Sequence, residues 1–189
     1  MTALRIAHLE RGCEVIAPEP CLGVWVQGCS IRCEGCSAKE LWSIDGGRDV
    51  AVAEIVALAA EEGALAVLGG EPVDQVGALF ELCAMARDSG LGVTLYTGYE
   101  RDSVLAGHPW IRDKVDLLLA GPYVASERSE KRPFVGSDNQ TVDFLSPRYQ
   151  SPPGGHSRCE IHLEKDGSIV ACGYPDEKLA KMIREGFAR

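Results

Sequence analysis

A chain of 189 residues, 46% hydrophobic and 25% charged, is long enough for one buried core and too short for two comfortable ones. Its formal net charge of −9 argues against a nucleic-acid backbone as the main partner, because neutralising phosphates takes a concentration of Lys and Arg. No apolar run approaches the roughly 18 residues of a membrane span, and the first residues, broken by Arg5, Glu10, Arg11 and Glu14, lack the apolar core of a secretory signal, which predicts a cytoplasmic protein with no membrane partner.

In chain order, LRIAHL (4–9) and LGVWVQ (22–27) read as strands, and a cysteine-rich loop leaves the second at its C-terminal end. After the turn at 45–47, Val52, Ile55, Val56 and Ala59 recur at spacings of three and four, which predicts a helix over 49–62 that Gly63 stops. ALAVLGGEP (64–72) reads as a buried strand running into a glycine turn. Residues 74–88 repeat the helical period with Val76, Leu79, Phe80, Cys83 and Ala86 on the apolar face. A strand over 90–98, a short helix at about 100–106 and a strand over 115–123 follow.

The basic stretch ERSEKRPF (127–134) is diluted by acids and reads as a solvated loop, and 146–157 as a loop or linker. CEIHLEKDGSIVACG (159–173) predicts a hairpin about Asp166-Gly167, with a terminal helix over 176–187. Apolar runs alternating with helical segments predict one α/β domain over 1–189 with a largely parallel sheet, its core at about 22–145 and the hairpin and helix at about 158–189. Parallel strands put 28–37, 69–72, 97–99 and 121–123 on one edge of that sheet.

Eight cysteines in a reducing compartment are expected to be metal ligands or catalytic thiols, not four disulfides. Cys29, Cys33 and Cys36 fall within eight positions. Structural zinc is usually closed by four protein ligands, which here would take a distant His108, His156 or His162, since no second Cys-x-x-Cys exists. A [4Fe–4S] cluster is normally held by four cysteines, so three would leave one iron open to a substrate or cofactor. Taken alone, 69–72 also reads as a plain strand-to-helix turn with Pro72 near the helix start.

Cys29-x3-Cys33-x2-Cys36 resembles the cluster motif of the radical S-adenosylmethionine (SAM) enzymes. That resemblance implies three thiolates on three irons of a [4Fe–4S] cluster, with the amino and carboxylate groups of SAM chelating the fourth. LGGEP (68–72) is similar to the family's Gly-Gly-Glu-Pro segment, which places Gly69, Gly70, Glu71 and Pro72 beside the SAM amino group, with Gly35, Cys36 and Ser37 lining the cofactor and Thr97 reaching its carboxylate or ribose. Glycines let the main chain approach a ligand closely, and Glu71 offers a negative partner to an ammonium.

Beyond these motifs, GVWVQGCSIRCEGCSAKELW (23–42), LYTGYE (95–100), DLLLAGPY (116–123), GSDNQTV (136–142) and DGSIVACGYP (166–175) look, in that order, like the small activating proteins of the anaerobic ribonucleotide reductase. The resemblance implies a partial, open (β/α) barrel and a reductant such as flavodoxin or ferredoxin. It also implies reductive cleavage of SAM to a 5′-deoxyadenosyl radical, which takes a hydrogen from a backbone glycine of a glycyl-radical partner. Residues 16–26 lack the Gly-Arg element that activators often carry there, and a glycine stands at position 35 where an aromatic or apolar residue is common. A radical enzyme acting on a peptide or small molecule, and a non-enzymatic zinc or electron-transfer module, are the alternatives.

The other cysteines are read separately. Cys83 is expected to be a small buried residue. Cys13, Cys21, Cys159 and Cys172 suffice in number for a second cluster but match no compact motif, and Cys172 is the candidate hydrogen donor near the radical site. Asn139 and Gln140 are candidates for SAM or partner contacts, and Tyr96 and Tyr99 for core or rim packing.

Overall fold

The structure is a computed structural model that describes residues 2–129, 131–150, 159–163, 167, 169–175, 178, 179, 181 and 182. The predicted terminal helix, Asp166 of the predicted turn, His156 and most of the 146–157 linker lie wholly or largely outside those residues.

β1 (Ala3–Cys13) runs further than the predicted 4–9 and pairs antiparallel with β2 (Cys21–Val26), its register broken by irregularities at Ile6/His8 and Glu10/Cys13. Residues 49–51, predicted as helix, are instead part of an edge strand, β3 (Arg48–Ala51). The apolar period needs only Val52 onward, so the three residues before it are left to pair with β1, Leu4 opposite Val50. α1 (Val52–Glu62) then buries Val52, Ile55, Val56 and Ala59 as its spacing requires. Gly63 ends it at φ 89°, the left-handed cap that glycine adopts without penalty.

β4 (Ala64–Gly69) leads through a 3-10 turn over Pro72–Gln75 into α2 (Val76–Asp88). α2 buries Leu79, Leu82, Cys83 and Ala86, whereas Val76 and Phe80, expected on that face, are 36% and 44% exposed. At ~100° per residue Phe80 stands about a quarter-turn round from Leu79. Its ring meets Trp110 edge-on at 5.4 Å instead of entering the core. β5 (Gly92–Thr97), α3 (Arg101–Gly107) and β6 (Leu117–Ala120) follow as predicted, trimmed at their ends. α4 (Ile111–Lys114) and β7 (Thr141–Phe144) were not anticipated. β8 (Cys159–Leu163) and β9 (Ile169–Gly173) form the predicted hairpin as a separate two-stranded sheet.

The main sheet has the order β3-β1-β2-β4-β5-β6-β7, with β2, β4, β5 and β6 mutually parallel and antiparallel strands at both edges. Its two faces are covered differently. Leu65 and Val67 of β4 join Ile55, Leu79, Leu82 and Ile111 under the helices. Ala64 and Ala66, alternating with them, face Ile16, Tyr96, Phe134 and Cys172 beneath loops and the hairpin. Small residues on this second face leave room above the sheet. The 127–134 stretch, expected as a solvated loop, is a strap closing that side: Ser129 and Phe134 are buried, Ser129 N donates to Gly136 O at 2.9 Å, and Arg128 bonds the Pro175 carbonyl. Among the described residues no helix is long and apolar enough to cross a membrane.

Candidate functional site

Because β2, β4, β5 and β6 run parallel, their C-terminal ends deliver four loops to one edge of the sheet. These loops rim a cavity of ≈ 820 Å³ that extends over the loop-covered face. That volume falls within the range of small-molecule sites, roughly 300–1,000 Å³. Cys29, Cys33, Gly35, Cys36 and Ser37 line it from the first loop, Gly69, Gly70 and Glu71 from the second, and Thr97 from the third. Pro72 is buried at the head of the 3-10 turn, behind this wall.

The cysteine loop has no regular structure, yet its backbone is held throughout. Gly28 N donates to Leu41 O at 2.8 Å and Cys29 N to Trp42 O at 3.3 Å, tying the loop to the segment that follows it. Arg32 takes a left-handed φ of 53°, and Cys36 N reaches Cys33 O at 3.2 Å, so the chain coils back and brings all three thiols to the cavity. Each is half-buried. Burial pushes the Cys29 thiol up, while the backbone N–H groups of Arg32 and Ile31 pull it back toward the thiolate. Ala38 N donates to Cys36 Sγ at 3.4 Å. A clasp missed by sequence reasoning anchors the loop from outside: Asp74 accepts from Ser30 N and Ser30 Oγ, both at 2.7 Å, and from Tyr99 Oη at 3.3 Å.

The glycine segment is docked against this loop. Gly70 N donates to Val26 O at 2.9 Å and Glu71 N to Gly28 O at 2.8 Å; a Cβ built on Gly70 would lie 2.1 Å from that same Gly28 carbonyl. The close approach that requires glycine at 70 is therefore to the cysteine loop's own backbone. Glu71 is 1% exposed. Its Oε1 accepts from Val73 N and Thr97 Oγ1, both at 2.9 Å, and its Oε2 from Gly98 N at 2.8 Å. Burial outweighs these bonds and raises its pKa to about 7. Thr97, expected to reach the cofactor directly, has its hydroxyl committed to Glu71 and, as acceptor, to Tyr99 N.

Other expected residues fall into supporting places. Asn139 donates to Pro122 O at 2.8 Å and Gln140 to Gly121 O at 2.9 Å, bracing the loop after β6, although Gln140 also lines the cavity. Tyr96 Oη donates to Ile16 O in the core, and Tyr99 belongs to the outer clasp. Cys83 is fully buried, its thiol pushed up to about 12. Cys172, the candidate hydrogen donor, is fully buried and is not among the residues lining the cavity, although its β9 neighbours Val170, Ala171 and Gly173 are. His108 and His162, the described candidates for a fourth zinc ligand, are not among the residues lining the cavity. Trp42 is a further residue that spacing did not reveal. It lines the cavity, and its Nε1 is buried with no hydrogen-bond partner among the described residues, a donor left for a bound group.

Comparison with known proteins gives the chemistry a context. The family model described as "4Fe-4S single cluster domain" matches residues 20–143. The anaerobic ribonucleoside-triphosphate reductase-activating protein of Escherichia coli strain K12 is 24% identical over 133 residues, covering 65% of this chain and 86% of that protein. Its counterpart in Salmonella typhimurium is 25% identical over 134 residues, with 65% and 86% covered.

Proposed function

The chain belongs to the 4Fe-4S single cluster domain family, matched over residues 20–143, and on that footing we propose that it is a radical SAM enzyme that activates a glycyl-radical partner. The named relatives point to an anaerobic ribonucleoside-triphosphate reductase as that partner. One observation carries the reading: three half-buried thiols of one loop and a Gly-Gly-Glu segment hydrogen-bonded to that loop line a single cavity.

The residues fit a [4Fe–4S] cluster and SAM. Cys29, Cys33 and Cys36 supply thiolates for three irons, and no further cysteine lines the cavity among the described residues, which leaves one iron for the cofactor. The orphaned Trp42 Nε1 is a donor toward a cluster sulfide or a cofactor acceptor. When bound, the pair supplies one-electron reductive cleavage of SAM, generating the radical that abstracts hydrogen from the partner's glycine.

The chain's own residues bind, orient and shield. Glu71, held by Thr97 and by two backbone N–H groups, presents a fixed carboxylate to the SAM ammonium, an ion pair strengthened by burial. Because its orientation is set before the ligand arrives, binding does not have to order it. Trp25, Leu68 and Tyr96 form an apolar wall that keeps water from a reactive centre. Tyr123 and Arg128, on the strap side, offer hydrogen-bonding groups to a partner's backbone. We read the four parallel strands as the core of an open barrel, and the setting as cytoplasmic, where a reductant such as flavodoxin or ferredoxin is at hand.

Anaerobic reconstitution with iron and sulfide, followed by reduction and addition of SAM, tests this. About four irons per chain and steady release of 5′-deoxyadenosine are expected. Zinc held by Cys29, Cys33 and Cys36, with no deoxyadenosine released, would return residues 28–37 to a structural role.

A further inference from the structure

A second pair of thiols meets far from the cysteine loop. Cys13 ends β1 and Cys172 lies in β9, 159 residues away, and their Sγ atoms are 3.6 Å apart with both side chains fully buried. A disulfide would hold the sulfurs at ~2.05 Å. Two thiolates on one tetrahedral zinc, each at ~2.3 Å, stand ~3.8 Å apart. The observed 3.6 Å is that of two thiols in contact, one S–H donating to the other sulfur, and only a slight spread brings the pair to the second arrangement.

A third donor completes the group. A carboxylate oxygen of Glu160, on β8, lies within 4.8 Å of both sulfurs. Both Glu160 oxygens accept from Glu14 N, at 3.0 and 3.1 Å, which leaves lone pairs free for a metal. Behind it, His162 Nε2 is 3.5 Å from Glu160 Oε1, and His162 Nδ1 is 2.8 Å from Glu10. Glu10 is itself buried and meets His8 at 2.9 Å through its other oxygen. This chain of histidine and carboxylate orients Glu160 as outer partners orient metal ligands elsewhere.

We propose that Cys13, Cys172 and Glu160 bind one Zn²⁺, with water in the fourth position, and that this metal clamps the β8–β9 hairpin to the main sheet. On binding, the two thiols release their protons to solvent, and no electron is transferred. Two thiolates and a carboxylate suit a borderline-soft divalent ion. The clamp reinforces a hairpin whose strands, among the described residues, pair only with each other and reach the main sheet through side chains such as Cys172 and Val170. The clamp also reaches the cavity, since Val170, Ala171, Gly173 and Tyr174 form part of its wall. The inference stands on this cluster alone and does not rest on the radical function.

The test uses the full chain with Cys29, Cys33 and Cys36 replaced by serine, purified in a phosphine reductant, so that the loop thiols cannot bind the metal counted. Zinc is measured by elemental mass spectrometry. Co²⁺ is then titrated in its place and followed by thiolate-to-cobalt charge-transfer absorption. One zinc per chain is expected, lost in Cys13→Ser and bound at least ~10-fold more weakly in Glu160→Gln. Glu160 is half-buried, so Glu160→Gln serves as the test if Cys13→Ser does not fold. Chelation of the bound zinc should speed proteolysis within 159–173 at least ~10-fold. No zinc in the reduced protein, unchanged affinity in Glu160→Gln, iron at this pair, or a Cys13–Cys172 disulfide in its place would overturn the proposal.

Discussion

The chain carries two groups of cysteines, and they are built in opposite ways. Cys29, Cys33 and Cys36 share one irregular loop, half-exposed, all three within eight positions of the sequence. Cys13 and Cys172 come from opposite ends of the chain, are fully buried, and meet only because β9 docks beside β1. A local set survives loosening of the surrounding fold, because its spacing is covalent. A non-local set exists only while the tertiary structure does.

The largest effect separates the two directly. Cys33→Ala is expected to lower SAM cleavage by more than ~100-fold, since it removes an iron ligand outright, while proteolysis of the hairpin stays unchanged. An anaerobic deoxyadenosine assay reads the first and a timed digest the second; wild-type turnover in this variant would sink the radical reading.

Next comes the seam between the loop and the sheet. Gly70→Ala places a Cβ 2.1 Å from the Gly28 carbonyl, a backbone atom that can only move with the cysteine loop. A loss of roughly 3 kcal/mol in anaerobic urea unfolding is expected, with weaker retention of iron. Gly77→Ala, where a Cβ meets nothing within 4 Å, is the matched control and should gain up to ~1 kcal/mol as a helix substitution.

Glu71 gives a smaller, pH-dependent effect. Its pKa is raised from 4.5 to about 7 by burial. The ammonium of SAM needs the ionised form, so affinity should fall about tenfold from pH 8 to pH 6 as the carboxyl takes up a proton before binding. Stability of the ligand-free protein runs the other way. Burying the charged form is costly, a cost absent below about pH 4.5, growing between there and about pH 7, and full above it, worth about 2 kcal/mol between pH 5 and pH 8. Calorimetric titration of SAM and urea unfolding across that range check both signs, and Glu71→Gln should flatten both profiles.

Smallest is Thr97→Val, which removes one hydrogen bond to the Glu71 carboxylate. About 1 kcal/mol of SAM affinity should be lost. With one fewer donor to its charged form, Glu71 should also titrate at higher pH, so the affinity profile moves alkaline; a change in affinity without that movement would assign Thr97 a direct contact instead.

The legibility of the fold followed the range of the interactions. The body and the C-terminal end of α1 were readable because its apolar period and its glycine cap are both local. The edge strand at 48–51 was not, since its only reason to be extended is the partner β1 across the sheet. β7 was missed for the same reason: its residues are half-buried, and its register is set by β6. Phe80 was misassigned because a helical period marks a face without saying how wide the neighbour covering it is.

In the site, the three loop cysteines and the Gly-Gly-Glu segment were legible as motifs. The role of Thr97, the Asp74 clasp and the orphaned Trp42 nitrogen were not, because each depends on an angle between segments that no spacing records.

By itself the sequence determined the cysteine loop, the order of the four parallel strands, and the shared edge at which their loops emerge, because periodicity, glycine punctuation and covalent spacing act within a few residues. Only the tertiary structure decided that small residues on one face of β4 leave a cavity there, that Glu71 is buried and raised toward neutrality, and that Cys172 turns from the site to Cys13. Those outcomes depend on which surfaces exclude water when distant strands dock, and that is a property of the packed chain.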